Sequence, residues 1–411
     1  MKIEKVCVVG MGYIGLPTAA LIASKKIPVI GYDINPDIVS SINKGKTHIS
    51  EPKLDSLVKE AVKSNFLAAS NMPPEANIYI IAVPTPFKSI RKKSPVPDIS
   101  YIESSIKNIS RVLPNKCLII LESTSPVGTT KKIENLLKKL RPDIEFNLAY
   151  CPERVLPGKI LSELVSNDRV IGGVDEKSSR KAKSFYKNFV EGKCYLTNSQ
   201  TAEMVKLTEN SFRDVEIAFA NELSMICENE DINVWELIKL ANKHPRVDIL
   251  QPGPGVGGHC IAVDPWFIID KNPQQSKLIK QARQVNDSKP DFVLKKILEQ
   301  IKTLKKEKKL NEKDVKISFF GITFKPNIDD IRESPALYIV NKALEMTKCK
   351  ISVVEPNLKG KQKLNNLSFV SLSSAKRSSH IVVILVDHKE FSKLQFKKGT
   401  IIIDTKGIVS N

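Results

Sequence analysis

No apolar run in the 411-residue chain approaches the roughly 20 residues a membrane-spanning helix needs. The longest, such as Ile381 to Val386, are strand-sized, so no membrane partner is expected. Met1 to Lys5 lead directly into a buried-strand pattern with no signal-peptide apolar core, and a cytoplasmic location is expected. Cysteine pairing is also missing. The seven cysteines, at 7, 117, 151, 194, 227, 260 and 349, are odd in number and show no CxxC or Cys/His spacing. That argues against a disulfide framework and a zinc site, and no metal is expected. Aromatic residues make up only 6% and nowhere interleave with a basic stripe, so nucleic acid is not an expected partner. The formal charge of +19, from 64 Lys plus Arg against 45 Asp plus Glu, reads as composition. Its lysines scatter in pairs such as Lys131-Lys132, Lys305-Lys306 and Lys397-Lys398.

What remains is a folded globular chain, long enough for roughly two to three domains. The first half alternates helices with strands at Lys5 to Val9, Pro28 to Asp33, Ile78 to Ala82, Cys117 to Glu122 and Phe146 to Tyr150, the pattern of a parallel α/β unit. Thr201 to Glu230 reads as one long helix without Pro or Gly, followed by a second from Val234 to Lys243. After a Gly-rich segment, Pro252 to Cys260, helical residues continue to about Thr303, and the lysine-dense stretch Lys305 to Asp314 reads as a solvated boundary. Strands return at Val315 to Phe320, Lys350 to Glu355, His380 to Val386 and Thr400 to Asp404. The expected fold class is α/β, two α/β units joined by a helical middle domain with a long connecting helix. The expected domains are 1–195, 196–303 and 304–411.

The first strand runs into Gly10-Met11-Gly12-Tyr13-Ile14-Gly15 and then a helix. In that context G-x-G-x-x-G marks a dinucleotide site: Gly10 for the turn, Gly12 for backbone approach to a pyrophosphate, Gly15 for helix packing. Asp33 ends the second strand, where a carboxylate accepts from ribose hydroxyls and repels a 2′-phosphate, so NAD is favoured over NADP. Tyr13 and Ile14 belong to the same loop. Thr85 and Thr124 follow strand ends, where this fold binds its cofactor.

Cys260 follows the glycines of Gly253-Pro254-Gly255-Val256-Gly257-Gly258 in an exposed-looking loop, unlike Cys7 and Cys117, which sit in strand patterns. It is a candidate nucleophile. Adjacent loop residues generally point apart, which disfavours His259 as its base. Lys206, Asn210 and Arg213 share a helical stripe. Cys151-Pro152-Glu153-Arg154-Val155-Leu156-Pro157-Gly158 reads as a rigid turn presenting a carboxylate and a guanidinium.

Together these segments resemble the nucleotide-sugar 6-dehydrogenases, which oxidise the C6 alcohol of UDP-glucose, GDP-mannose and UDP-N-acetylhexosamines to a carboxylate. Lys206 to Asp214 and Gly257 to Phe267, with the two motifs above, look most like the branch acting on UDP-N-acetyl-D-mannosamine. The resemblance implies an N-terminal NAD-binding Rossmann domain, a helical dimer-forming middle and a C-terminal Rossmann-like domain for the UDP-sugar, hence a homodimer. It implies that Cys260 is the nucleophile, that Lys206 and Asn210 stabilise an oxyanion, and that Asp264 or Glu153 activates water, with Thr124 beside them. Arg154, Val155, Arg213, His244, Arg246, Gly257, Phe324 and Lys325 fall where the sugar nucleotide is held, together with Lys206 and Asn210, and Arg332 where a residue reaches the cofactor. Alcohol to carboxylate is a four-electron oxidation, so two NAD are implied per sugar, with the intermediate held on the thiol. UDP-N-acetylglucosamine and UDP-glucose stand as alternative substrates. Pro157 replaces the second carboxylate of the UDP-glucose branch, and His259 replaces its serine. A basic regulatory or nucleic-acid-binding protein built on a Rossmann domain is the remote alternative.

Overall fold

The computed structural model describes residues 3–49, 51–88, 95–258, 260–358, 364, 366–392 and 394–409. The chain divides into two compact units, Met1–Glu209 with Trp266–Asn272, and Asn210–Pro265 with Pro273–Asn411.

The first unit is built on strands β1 (Val6–Val9), β2 (Val29–Tyr32), β3 (Leu67–Ser70), β4 (Ile78–Ile81), β7 (Cys117–Leu121), β8 (Phe146–Tyr150), β9 (Arg169–Gly173) and β10 (Cys194–Asn198), with a short hairpin, β5 (Phe87–Lys88) and β6 (Val96–Pro97), after β4. The sheet order is β10-β9-β8-β7-β4-β1-β2-β3, parallel except for the β8–β9 pair. Both faces are covered, which is why the central strands read as unbroken apolar runs. Val6, Val8, Ile78, Ile80, Leu118 and Ile120 face one core, and Cys7, Val9, Tyr79, Ile81, Ile119 and Leu121 face the other. Burial raises the thiol of Cys7 strongly and that of Cys117 to about 11, so both are packing residues. Helix α1 (Gly15–Ser24) is small-residue rich, and its residues Gly15 to Ala23 are all buried.

Around this sheet lie α2 (Pro36–Asn43), α3 (Leu54–Lys63), α4 (Ser100–Ser110), α5 (Thr129–Leu140), α6 (Ile160–Ser166) and α7 (Glu176–Tyr186). Strands β3, β9 and β10 go beyond the expected set. Their sequences, LAAS, RVIGG and CYLTN, lack long apolar runs because they lie toward the sheet edges, and Tyr195 is half exposed.

Helix α8 (Ser199–Asn229) gives its residues through Glu209 to the first unit and the rest to the second. The second unit also holds α9 (Val234–Ala241), the start of α10 (Asp264–Lys271), and α11 (Lys277–Glu307) with Pro290 inside it. Its sheet is fully parallel, in the order β12 (Lys350–Val354), β11 (Lys316–Phe320), β13 (Ile381–Ile384), β14 (Ile401–Asp404), flanked by α12 (Pro335–Met346) and α13 (Leu372–Ser378). Val293, Leu294, Ile297, Ile301 and Leu304 form one stripe of α11 and share a core with Ile317, Phe319 and Ile339. Lys305 and Lys306, expected in a solvated stretch, are instead the last turn of α11, where lysine propagates a helix and complements its C-terminal dipole. Among the described residues no helix is long and apolar enough to cross a membrane.

Candidate active site

Strands β7, β4 and β1 are parallel neighbours, so Thr124, Thr85 and the Gly10–Gly15 loop follow their carboxyl ends on one side of the first sheet. Gly10 has φ +88°, and a side chain there would press on the Ala82 carbonyl. A Cβ on Gly15 would overlap the Gly10 carbonyl, whereas one on Gly12 meets nothing within 4 Å, so the face of the loop that a pyrophosphate approaches is open. Asp33 accepts from Met11 N at 2.8 Å and from Asn35 N at 2.9 Å. Each carboxylate oxygen retains a lone pair for a ribose hydroxyl. The open glycine face, the N-terminus of α1 and Asp33 fit NAD.

Two anchors steady the neighbouring turns. Glu203, fully buried on α8, accepts from Gly128 N at 2.5 Å and from Thr130 N at 2.7 Å, which fixes the turn after Thr124. Glu51 accepts from Gly158 N and Ile160 N, both at 2.8 Å, which fixes the end of the Cys151–Gly158 turn. That turn does not present Glu153 and Arg154 side by side. Glu153 points inward to a buried ion pair with Arg169. Arg154 is held by Glu209, its Nε at 3.0 Å from Oε2 and its Nη2 at 2.5 Å from Oε1, and Val155 packs against the core. Lys206, half-buried on α8, has no hydrogen bond or ion pair among the described residues.

In the second unit Cys260 is exposed, and its carbonyl accepts from Asp264 N at 2.8 Å in the turn that opens α10. Asp264 is buried and accepts from Asn210 Nδ2 at 2.5 Å, so two candidate catalytic groups are in contact. Gly258, with φ +79°, donates to the Arg332 carbonyl at 3.1 Å, and a side chain at Gly257 or Gly258 would strike Phe324. Pro290 gives α11 no donor for the Asn286 carbonyl, and Gly255 approaches at this point. Below the loop Arg283, Asp214, Asn286, Asn221 and Gly253 N form a buried chain: Arg283–Asp214 at 2.6 Å, Asn286–Asp214 at 2.8 Å, Asn221–Asn286 at 2.9 Å and Gly253–Asn221 at 2.9 Å. Position alone does not mark these four side chains in the sequence, because their partners lie far along it.

Phe324 and Lys325 belong to the loop after β11, which Glu355 and His388 hold from below. Glu355 accepts from Ile322 N at 2.8 Å, and His388 stands 3.1 Å from Glu355 and accepts from Asn327 N at 3.0 Å. The Arg332 guanidinium pairs with Asp330 at 2.6 Å. Arg213 is exposed and 3.7 Å from Glu216, whereas Lys206 and Asn210, the other members of the expected stripe, are half-buried. His244 and Arg246 are exposed after α9, with Arg246 N at 3.3 Å from His244 Nδ1. His259 lies outside the described residues.

Models of three domains match the chain: the UDP-glucose/GDP-mannose dehydrogenase family NAD binding domain at residues 4–190, its central domain at 200–288 and its UDP binding domain at 318–411. The chain belongs to the UDP-glucose/GDP-mannose dehydrogenase family. It is a nucleotide-sugar dehydrogenase, and its cofactor is NAD. It is 54% identical to a UDP-N-acetyl-D-mannosamine dehydrogenase of Campylobacter jejuni, over 97% of this chain and 98% of that protein. A solved UDP-D-ManNAc dehydrogenase from Pyrococcus horikoshii superposes with a TM-score of 0.89 at 38% identity, covering 99% of this chain and 96% of that one. An NDP-N-acetyl-D-galactosaminuronic acid dehydrogenase of Ralstonia nicotianae is 49% identical over 98% of this chain and 96% of its own length.

Proposed function

We propose that the protein oxidises the C6 alcohol of UDP-N-acetyl-D-mannosamine to the uronate, keeping the sugar on Cys260 between two oxidations. The observation that carries the reading is the exposed Cys260 at the head of a turn whose fourth following residue, buried Asp264, is bonded to Asn210. NAD, when bound, is a two-electron acceptor, so four electrons require two equivalents. Gly10 to Gly15 and Asp33 hold it, with Thr85, Thr124 and Arg332 as further contacts. The aldehyde formed first must not escape. Cys260 Sγ, as the thiolate, adds to its C6 and gives a thiohemiacetal oxyanion, which hydrogen bonds from Lys206 and Asn210 stabilise. The second oxidation leaves a thioester, which water cleaves to the carboxylate and the free thiol. Asp264, desolvated and in contact with Asn210, takes the water's proton; Glu153, engaged by Arg169, is the less suitable base.

The UDP moiety is assigned to Phe324, Lys325 and Gly257, and the acetamido sugar to Arg154, Val155, Arg213, His244 and Arg246. A site that hydrogen-bonds an axial acetamido carbonyl leaves a donor unpaired when UDP-glucose binds, at about 1 to 3 kcal/mol per group. A homodimer fits α8, whose Phe212, Phe219 and Ile226 repeat every seventh residue and are 64%, 53% and 50% exposed. The test is kcat/KM on UDP-N-acetylmannosamine, UDP-N-acetylglucosamine, UDP-glucose and GDP-mannose. The first is expected to exceed UDP-glucose by at least tenfold, which corresponds to about 1.4 kcal/mol. A higher value for UDP-glucose rejects the sugar assignment.

A further inference from the structure

A buried cluster lies beneath the Cys151–Gly158 turn. Glu122 follows β7, Cys151 and Glu153 follow β8, Arg169 opens β9 and Tyr186 closes α7, and none of these side chains is more than 6% exposed. Arg169 Nη1 is bonded to Glu153 Oε1, and its Nη2 donates to the Leu164 carbonyl at 2.9 Å. The guanidinium lies 5.2 Å from the centroid of the Tyr186 ring, and the Tyr186 hydroxyl donates to Glu122 Oε1 at 2.8 Å. Two carboxyl groups and one cation are thus withdrawn from water. One oxygen of each acid, Oε2 in both, has no hydrogen-bond partner.

A second buried carboxylate without a cation is costly, so the cluster favours a proton on one acid. Arg169 is committed to Glu153, which leaves Glu122 to carry it. Burial is the main cause that pushes Glu122 up, to about 8; the Glu153 charge adds to it, while Arg169 and the Tyr186 hydroxyl oppose it. Glu122 is also joined to the carboxyl end of the sheet, where the cofactor loop lies. The next residue, Ser123, donates its hydroxyl to the Val83 carbonyl at 2.7 Å, two residues before Thr85.

We infer that Glu122 is a positioning residue: protonated and held by Tyr186, it keeps the Glu153–Arg169 pair intact and thereby fixes the turn carrying Arg154, and its ionisation drives Glu153 from Arg169 and loosens that turn. Its effect on turnover rests on the assignment of that turn to the sugar nucleotide; the proton on Glu122 does not. Since the folded protein holds this proton above the ordinary carboxyl range, the stabilisation is complete at pH below that range. It is lost as pH rises toward about 8.

The experiment compares the full-length enzyme with Glu122→Gln, which keeps the shape of the acid and cannot ionise. In the wild type, kcat/KM for the sugar nucleotide should fall above pH about 8, by about tenfold per pH unit for one ionisation. In Glu122→Gln that limb should move to higher pH while the value near neutrality is kept. The melting temperature of the variant relative to wild type should rise between pH about 5 and about 8 and then level off. Tyr186→Phe, which removes a hydrogen bond to the ionised form, should also move the limb upward, and it serves if Glu122→Gln does not fold. An unchanged limb with a pH-independent difference in melting temperature overturns the proposal. If no UDP-sugar is turned over, the assigned substrate is wrong, and the melting-temperature profile still decides where the proton sits.

Discussion

In the first unit β1 ends at Gly10, with φ +88°, and the next amide, Met11 N, donates to Asp33 at 2.8 Å, with Asn35 N at 2.9 Å on the same carboxylate. In the second unit β11 ends at Gly321, with φ +84°, and Ile322 N donates to Glu355 at 2.8 Å, with Asn357 N at 3.1 Å. In both, a left-handed glycine turns the chain and an acid at the end of the neighbouring strand catches the turn. The surroundings then diverge. Asp33 stays half-buried beside the open face of Gly12, whereas Glu355 is buried under His388, and its loop continues through Thr323, Phe324, Lys325 and Pro326 without another glycine. The strand-end acid is therefore first a device for pinning a loop. It meets a ligand only where the following residues are small and the carboxylate remains at the surface.

That contrast is broken most strongly by removing each acid. Glu355→Ala should lower folding stability by about 2 to 4 kcal/mol, because the Ile322 and Asn357 amides and buried His388 lose their acceptor. Asp33→Ala should change the melting temperature little but weaken NAD by roughly 10- to 100-fold through lost charge-assisted hydrogen bonds. Calorimetric titration and thermal melts measure both, and equal stability losses would erase the distinction. A smaller effect comes from the glycines. Gly321→Ala forces a left-handed alanine against the Val386 side chain and should cost about 1 to 3 kcal/mol of stability. Gly12→Ala should leave stability near wild type while NAD affinity falls, since its Cβ points into open space.

The smallest effect is in pH. Burial alone would raise Glu355, yet His388 and the two amides hold it below the ordinary carboxyl range. Its contribution is present above that range and is lost as pH falls through the depressed folded value, the opposite sign to Glu122. Urea unfolding of Glu355→Gln from pH about 3 to about 7 should show a shallower acid-side loss than wild type. A steeper one would mean that the carboxylate is not the stabilised form.

The same contrast explains what could be read from the chain. Central strands such as Ile78–Ile81 and Cys117–Leu121 are buried on both faces, so apolar runs announced them, while the less apolar β3 and β10 gave no such signal. Gly10 to Gly15 and Asp33 were legible, and Cys260 stood out as a candidate, because residue type and local spacing mark them. Glu51, Glu203, Asn286, Glu355 and His388 were not. Their partners lie from 31 to 109 positions away for the contacts they make with other segments, and no local pattern distinguishes a buried anchor from a surface acid. The Cys151–Gly158 turn shows the limit most plainly. The side chains of Glu153 and Arg154 leave the turn toward different partners, Arg169 and Glu209.

The measurement that bears most directly on the central claim is the ratio of NADH formed to UDP-N-acetylmannosamine consumed, with the product identified, for the wild type and Cys260→Ala. Retention of the aldehyde on Cys260 predicts two NADH and one uronate per sugar for the wild type, and no uronate from the variant. Two NADH per sugar from Cys260→Ala at near wild-type rate, or one NADH per sugar from the wild type, would contradict it.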